Sequence, residues 1–280
     1  MKLSLPAAAV VAAIVSGSAF AADMPLKAVP YVPTSWTGAY WGLTLGWGYL
    51  DSTVTDSAVG FCTPGFGGCP AFGPALAGAI PASYPVTPNG FLGGVEFGYN
   101  WQVGRFVYGF ETDFDGANIN GSSTTTLANG PVGGATTNVV GTAGERLSYL
   151  GTVRARLGWT PLDPLLFYAT GGFAYGGVKS SMQLTENVVG PCFCGPSPSV
   201  LFNSSSTLTG WTVGGGAEWM FAPHWTVKGE FLYYDLGSTS YAVPTLTQLN
   251  GAGVPYFGAG VAASASIKGG LTRAGINFKF

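Results

Sequence analysis

The sequence is poor in charged residues. Lysine, arginine, aspartate and glutamate make up 9% of its 280 residues, whereas an ordinary soluble protein has about 25%. So few charges cannot coat a soluble globule of this size. The mean hydropathy is only +0.32, and Gly, Pro, Ser or charged residues interrupt every apolar run after the N-terminal segment. An apolar surface that is not made of apolar helices indicates a transmembrane β-barrel.

Other absences argue against whole classes of function. The net charge of −2 argues against a nucleic-acid partner. The only histidine, His224, has no Ser or Asp constellation around it, so the chain is not predicted to be an enzyme. Apart from four cysteines, the sequence has no cluster of metal-ligand residues. We therefore expect neither a metal nor a cofactor.

The N-terminal segment has the pattern of a secretory signal. Lys2 is a positive n-region, Leu3–Val15 is an apolar stretch too short to span a bilayer, and Ala19–Ala21 is an A-x-A cleavage site. We therefore expect residues 1–21 to be a signal peptide that is removed. Residues 22–35 are expected to be a periplasmic lead-in to one barrel domain, residues 36–280.

Eight segments alternate with a period of two, which is the pattern of β-strands. One face of each segment carries large apolar residues, and the other carries glycine, small or polar residues. This is the inverse of a soluble barrel and fits a narrow barrel in lipid. The last segment has no later hairpin partner, so it is expected to pair with the first and close the barrel. The predicted strands are Trp36–Leu50, Gly90–Gln102, Arg105–Asp115, Glu145–Trp159, Leu165–Val178, Thr207–Phe221, Trp225–Leu236 and Ile267–Phe280.

The connections between these strands alternate between long and short. Short turns are predicted at Val103–Gly104, Thr160–Pro164 and Ala222–His224, and long polar loops at Asp51–Asn89, Gly116–Gly144, Lys179–Ser206 and Gly237–Ser266. The prediction is an all-β fold: an eight-stranded antiparallel up-and-down transmembrane β-barrel with both termini periplasmic and four long extracellular loops. A ten-stranded variant stays open, but Lys179–Glu186 and Tyr241–Leu249 are expected to be strand extensions above the membrane.

Most charges within the predicted strands fall on the inward face. A turn at Val103–Gly104 would place Glu96 opposite Glu111, and Arg154 and Arg156 on the next strand would supply cations to these carboxylates. Arg146 is also expected to point inward, and Glu218 is expected opposite Lys228. The predicted lumen network is Glu96, Arg105, Glu111, Asp113, Arg154, Arg156, Glu218, Lys228, Glu230 and Arg273. It is either a salt-bridged plug or the lining of a selective pore, and the narrow interior of eight strands favours the plug.

The four cysteines lie in two of the predicted long loops. Because the chain is expected to be exported, disulfides are favoured over metal binding. Cys62 and Cys69 could close a small loop, whereas a bond between Cys192 and Cys194 would form a strained ring. Cross-links between the two loops remain open, so all three connectivities stand.

Several stretches together resemble a known family. They are WTGAYWGLTLGWGY from Trp36, RLSYLGTVRARLGW from Arg146, KGEFLYYDLG from Lys228 and the terminal GINFKF. The chain resembles the small outer-membrane β-barrel proteins of alphaproteobacteria, a group that includes major surface antigens. The resemblance implies an eight-stranded OmpA- or opacity-type barrel in the outer membrane. It also implies that the terminal aromatic residues, Phe278 and Phe280, form an insertion signal read by the barrel-insertion machinery.

The function predicted from this pattern is that of a structural surface protein of the outer membrane. The barrel would anchor and stiffen the membrane, and the loops would carry any specific interaction. Expected partners are outer-membrane lipid, the barrel-insertion machinery, periplasmic chaperones, and an extracellular ligand or host surface; nucleic acid is not expected. A small passive porin and a lipid-modifying barrel enzyme are the alternatives from other functional classes.

Overall fold

The two-residue periodicity extends much further along most of the strands than the apolar pattern indicates. The computed structural model describes residues 34–65, 69–128, 136–190 and 196–280, which belong to one unit, Thr34–Phe280. The elements are β1 (Gly38–Cys62), α1 (Cys69–Ala79), β2 (Ser83–Val86), β3 (Asn89–Val103), β4 (Phe106–Ala128), β5 (Thr136–Leu162), β6 (Leu165–Val189), β7 (Ser199–Ala222), β8 (Trp225–Leu249) and β9 (Pro255–Lys279). The predicted signal peptide, residues 1–21, and residues 22–33 of the lead-in lie outside the described residues.

Eight of the nine described strands form a closed antiparallel ring. The order is β1-β3-β4-β5-β6-β7-β8-β9, and β9 pairs back onto β1. The closing register runs from Tyr40↔Lys279 to Cys62↔Phe257. The predicted fold class is therefore confirmed, with one addition. The ninth strand, β2, is short and pairs with the upper part of β1.

The hairpin turns fix which residues face each other. Val103 pairs with Phe106, so the first turn is Gly104–Arg105 rather than the predicted Val103–Gly104. Gly104 has a φ of 61°, a conformation that glycine adopts without a steric penalty at the first position of a tight hairpin turn. The predicted pairing of Glu96 with Glu111 is therefore wrong, because Glu96 lies opposite Asp113.

A bulge next to the third short turn, between β7 and β8, also corrects a prediction. Glu218 lies opposite Lys228 as expected, but the register shifts between Met220 and Ala222, so that Ala222, not Phe221, pairs with Trp225. The bulged strand accommodates the extra residue before the Pro223–His224 turn.

An apolar band surrounds the lower half of the barrel. On β1 the outward side chains Trp41, Leu43, Leu45, Trp47 and Tyr49 are all at least 39% exposed. The run on β1 extends from the level of Trp41 to the level of Tyr49, and outward aromatic residues of the other strands lie at the same two levels. Trp101 and Trp159, for example, lie near the short turns. Phe114 and Trp211 lie at the opposite rim. Nine residues of tilted strand between the two levels match the height of a bilayer core.

Above this band the ring opens into two sheets. The β3–β4 pairing ends at Asn89↔Asn120, and the β7–β8 pairing ends at Trp211↔Asp235. Beyond these points β4, β5, β6 and β7 continue as one sheet, while β8, β9 and β1 continue with β2 as another. Most residues of the four predicted long loops are thus in strands, including the Lys179–Glu186 and Tyr241–Leu249 extensions. Their serine- and threonine-rich outward faces resemble loops in composition, although their inward faces keep the strand period.

The two sheets enclose an apolar core capped by a short helix. The core contains buried residues from both sheets, such as Val139, Met182 and Ile267. Helix α1 packs against β1 and β9 of one sheet and β5 of the other, and its Leu76 is fully buried. Phe72 of α1 stacks on Phe257 at a centroid distance of 5.4 Å. The upper lumen is therefore filled by side chains and a helix.

No helix within the described ranges is long and apolar enough to cross a membrane, a finding that bears on helices alone.

Candidate functional site in the barrel lumen

Ten charged side chains meet inside the part of the barrel that the apolar band surrounds. All ten are buried, and each lies at an inward position of its strand. The carboxylates are those of Glu96, Glu111, Asp113, Asp115, Glu218 and Glu230, and the cations are those of Arg154, Arg156, Lys228 and Arg273. Such a set is stable in a low-dielectric interior only when each charge is paired and hydrogen-bonded.

Two arginines of β5 connect carboxylates on opposite walls of the barrel. Arg154 contacts Glu111 and, at 2.8 Å, Asp113 on β4, and its other amino group lies 3.1 Å from Glu230 on β8. Arg156 contacts Glu111 at 3.4 Å and also pairs with Glu218 on β7. The planar guanidinium, with donors pointing in several directions, suits such bridging. The two arginines therefore span the lumen rather than line it.

Lys228 lies at the centre of a group of three glutamates. The carboxylates of Glu96, Glu111 and Glu230 come within 4.8 Å of one another, a spacing that would suit a metal ion. However, the ammonium group of Lys228 is 3.0 Å from Glu111 and 3.3 Å from Glu230, and it also pairs with Glu96. The protein's own cation thus supplies the positive charge that these three carboxylates share.

Arg273 joins the last strand to this network. Its Nη2 lies 2.7 Å from Asp113, its Nη1 lies 2.6 Å from Asp115, and its Nε pairs with Glu230 on the neighbouring strand. The side chain of Arg273 is 1% exposed. The strand that closes the barrel is therefore tied to β4 through the lumen as well as to β1 and β8 through the sheet.

Neutral side chains satisfy further bonds of the network. Tyr40 donates to Glu111 at 2.7 Å, and Tyr168 donates to Glu230 at 3.2 Å. The guanidinium of Arg156 lies 3.7 Å from the centre of the Tyr168 ring, a distance at which cation–π attraction is favourable. Thr44 donates to Asp115 at 2.6 Å. These groups extend the contacts of the charged residues to side chains of β1 and β6.

The structure corrects two charge placements and adds one. Arg105 is exposed in the first hairpin turn, so it is not part of the network. Arg146 points outward, because the β5–β6 register shifts between Leu147 and Tyr149 and reverses the direction of the side chains above that point. Asp115 was missed, although it shares the inward parity of Glu111 and Asp113 and could have been found from the period alone.

A tryptophan closes the periplasmic end of the lumen. Trp36, which precedes β1, is 2% exposed and packs with Val107, Leu166, Tyr168 and Met220. Its backbone N–H donates to the Gln102 side chain at 2.8 Å, and its indole N–H donates to the Asp163 carbonyl at 3.1 Å. The sequence pattern placed this residue at the start of the first strand and did not predict its position beneath the charge network.

Three carboxyl groups above the apolar band form no ion pair with a cation among the residues that the structure describes. Burial raises the pKa of Glu145 to about 7, opposed only in part by a hydrogen bond from Ser180. Burial likewise raises the pKa of Glu186 to about 7 and that of Asp56 to about 7. Burial, and to a smaller extent the nearby charges of Glu145 and Asp56, raises the pKa of Tyr241. These groups belong to the extracellular sheets and not to the lumen network.

The other predicted site residues lie outside the lumen. Cys62 takes part in a disulfide bond; Cys192 and Cys194 fall outside the described residues and the side chain of Cys69 is not described, so the connectivity stays a prediction. His224 is exposed, with its Nδ1 2.8 Å from the carbonyl oxygen of Lys279. Phe278 and Phe280 lie at the periplasmic rim, where Phe278 packs against Trp225 at a centroid distance of 5.1 Å.

Comparison with known proteins identifies relatives over most of the chain. Residues 7–271 match the family model described as outer membrane protein beta-barrel domain. The chain is 37% identical over 235 residues to the 31 kDa outer-membrane immunogenic protein of Brucella melitensis biotype 1, covering 81% of this chain and 85% of the relative. It is 32% identical over 152 residues to the 22 kDa outer membrane protein of Rhizobium leguminosarum bv. viciae, covering 54% of this chain and 56% of the relative.

Among solved structures, the chain aligns with the attachment invasion locus protein Ail of Yersinia pestis. The TM-score is 0.28 and the identity 12%, with 85% of this chain and 99% of Ail covered. Neisserial surface protein A aligns with the same TM-score of 0.28 and 12% identity, over 85% of this chain and 97% of that protein. Scores this low carry no argument about function.

Proposed function

The chain belongs to the outer-membrane β-barrel protein family, and on that premise we propose that it is a structural surface protein with a closed, non-conducting lumen. In this proposal the barrel anchors and stiffens the outer membrane. The extracellular sheets carry whatever contacts the protein makes with its surroundings. The lumen network serves as a rigid internal brace and not as a pathway for ions or solutes.

The observation that carries the proposal is the pairing of every lumen cation with at least two carboxylates. Arg154 and Lys228 each contact three, and all of the paired side chains are at most 4% exposed. A conducting pore needs charges that face water, whereas these charges face each other. The Trp36 cluster below and the apolar core with α1 above add two further closures.

The alternative of a small passive porin requires a water path past Arg154, Arg156 and Glu111. Liposome swelling tests this directly. Vesicles containing the refolded protein are expected to swell in a small sugar no faster than empty vesicles. A double variant, Arg154→Ser with Glu111→Ser, removes one large cation and one large anion and serves as a matched control, because it should admit more solute than the wild type. Swelling of wild-type vesicles well above that of empty vesicles would favour the porin.

The outward faces of the extracellular sheets support a role in surface contact. They are dominated by serine, threonine and asparagine, such as Asn203 and Ser205, and carry few charges. The Brucella relative is named an immunogenic protein, which supports exposure of this part of the fold at the cell surface. We propose that contacts with an extracellular ligand or host surface are made here. Protease shaving of intact cells is expected to remove peptides from 51–62 and 238–249 but none from 91–101.

The proposal includes no enzymatic activity. His224, the only histidine, lies at the periplasmic turn with one ring nitrogen next to the Lys279 carbonyl. This position is far along the strands from the outer leaflet, where a lipid-modifying barrel enzyme would act. A His224→Ala variant is therefore expected to leave the lipid composition of the outer membrane unchanged.

A further inference from the structure

Two cations lie side by side on the outer surface of the barrel. Arg146 on β5 and Lys179 on β6 are directly opposite each other in the strand register, and both side chains are exposed. Neither forms an ion pair with another residue in the part of the chain that the structure describes. Like charges facing each other across an antiparallel pair destabilise the sheet, so this arrangement is unfavourable unless an anion lies between them.

The bulge in β5 creates this arrangement. Without the register shift between Leu147 and Tyr149, Arg146 would point into the lumen with Arg154 and Arg156, as the simple alternation predicts. The bulge instead turns Glu145 inward, where it is 2% exposed, and Arg146 outward. Bulges of this kind commonly redirect one side chain at a functional position.

The height of the pair is that of the lipid headgroups. On β5 the outward residue below Arg146 is Tyr149, and on β6 the aromatic residue below Lys179 is Tyr175. Below these tyrosines the outward residues are apolar or glycine, and above the pair they are mostly polar. An aromatic girdle marks the boundary of the hydrocarbon core, so the two cations lie just above the outer boundary of that core.

The surface around the pair is concave and rich in hydrogen-bond donors. A depression of about 580 Å³ extends across β4 to β7 at this height and includes both cations in its lining. Gly144 and Ser181 are also in its lining, together with Asn120 on β4 and Asn203 on β7. Hydroxyl and amide groups beside two cations form a donor set suited to a phosphate group.

The opposite side of the barrel has a different charge pattern at the same height. There Lys268 on β9 lies opposite Asp51 on β1 and Asp235 on β8 in the strand register, so its two cross-strand neighbours are acidic. Among the described residues at this height, the pair of adjacent cations lies on β5 and β6, across the eight-stranded ring from β9 and β1.

We propose that Arg146 and Lys179 bind the phosphate of a phosphorylated lipid headgroup in the outer leaflet. The headgroup phosphate would accept hydrogen bonds from the guanidinium and the ammonium, and its acyl chains would lie along the apolar band below. The site is independent of the lumen and does not rest on the proposal that the barrel is closed.

The test uses the full-length mature barrel, refolded in a neutral detergent and titrated with diphosphoryl lipid A while bound lipid is counted by native mass spectrometry. The double variant Arg146→Gln with Lys179→Gln is expected to weaken binding about tenfold or more, because it removes the charge-assisted hydrogen bonds to phosphate. Lys268→Gln is the matched control at the same height and is expected to change affinity less than about twofold. Heat-modifiable migration on gels verifies that each variant is folded.

Further measurements distinguish binding of the lipid from binding of a free anion, and the effect of side-chain charge from the effect of side-chain shape. Dephosphorylated lipid A is expected to bind the wild type as weakly as the double variant binds the phosphorylated form, and inorganic phosphate is expected not to compete. The charge-retaining variant Arg146→Lys should keep most of the affinity, and the single variant Lys179→Gln replaces the double variant if the double variant does not fold. Equal affinity of wild type and folded double variant, an equal loss in Lys268→Gln, or full competition by inorganic phosphate would overturn the proposal.

Discussion

Arg273 on the last strand and Asp115 on the third strand of the ring form an ion pair of 2.6 Å across the barrel lumen. The two residues are 158 positions apart in the chain. Their pairing connects β9 to β4, which are not neighbours in the sheet. It therefore links β9 to β4 through the lumen, in addition to the hydrogen-bonded seam between β9 and β1.

Removing Arg273 is expected to destabilise the assembled barrel. Arg273→Ala leaves Asp113 and Asp115 buried without this partner, and breaking a buried ion pair costs roughly 3–5 kcal/mol. The free energy of unfolding, measured by urea denaturation in phosphatidylcholine vesicles, should fall by about that amount. The control Lys268→Ala, at the half-exposed outer surface, should change it by less than about 1 kcal/mol. An Arg273→Ala effect no larger than that of the control would show that the network is not an internal brace.

Deleting Phe280 is expected to impair assembly and to leave the free energy of unfolding nearly unchanged, unlike Arg273→Ala. The Phe280 side chain is 71% exposed, and Phe280 lies after the end of β9, so its loss removes little packing. We expect the yield of folded barrel in the outer membrane of cells to fall several-fold, while the protein refolded in vesicles unfolds within about 1 kcal/mol of the wild type. If the deletion and Arg273→Ala gave the same assembly defect and the same loss of unfolding free energy, this division of roles between Phe280 and Arg273 would be wrong.

The extracellular sheets are expected to loosen as the pH rises. Burial raises the pKa of Glu145 and Glu186 to about 7 in the folded protein, so the folded state retains protons that the unfolded state has released. The stability contributed is present below the ordinary carboxyl pKa and is lost as the pH rises through 7. Each carboxyl is expected to contribute about 1–3 kcal/mol.

Hydrogen exchange of backbone amides, corrected for the intrinsic rate, measures this effect. Peptides from 136–147 and 178–189 should be less protected at about pH 8 than at about pH 5, whereas peptides from 91–101 in the apolar band should change little. The double variant Glu145→Gln with Glu186→Gln should flatten the pH dependence. Protection that rises with pH in the same peptides would contradict the assigned direction.

The sequence alone was sufficient to predict the closed ring of strands and most residues of the lumen network. Strand alternation placed Arg154, Glu218 and Lys228 correctly, because a single period of two determines the face of every residue until a bulge occurs. It failed at Arg146, where one extra residue reverses the direction of the side chains. It also failed at Arg105, where the positive φ of Gly104 shifts the turn by one position. Neither the bulge nor the shifted turn changes the local amino-acid composition, so neither could be predicted from the alternation of residue types.

The extracellular half was less predictable for a different physical reason. The upper strands face water on one side, so their outward residues are polar and resemble loops, and only inward residues such as Val139 and Ile267 keep the apolar period. Helix α1 contains Pro74 and three glycine or proline neighbours within a short apolar stretch, which favours a loop on local grounds. It is helical because Leu76 and its neighbours fill the space between two sheets, and that space exists only in the folded barrel.

Single-channel recording in planar lipid bilayers measures whether the lumen of the barrel conducts ions. The wild-type barrel is expected to insert without producing stable, uniform openings, because its charged, apolar and tryptophan-lined layers close the lumen. The double variant Arg154→Ser with Glu111→Ser should give measurable openings or noise under the same conditions, which shows that inserted barrels are detected. Large, stable single-channel currents from purified wild-type protein would contradict the account and identify the lumen as a pore.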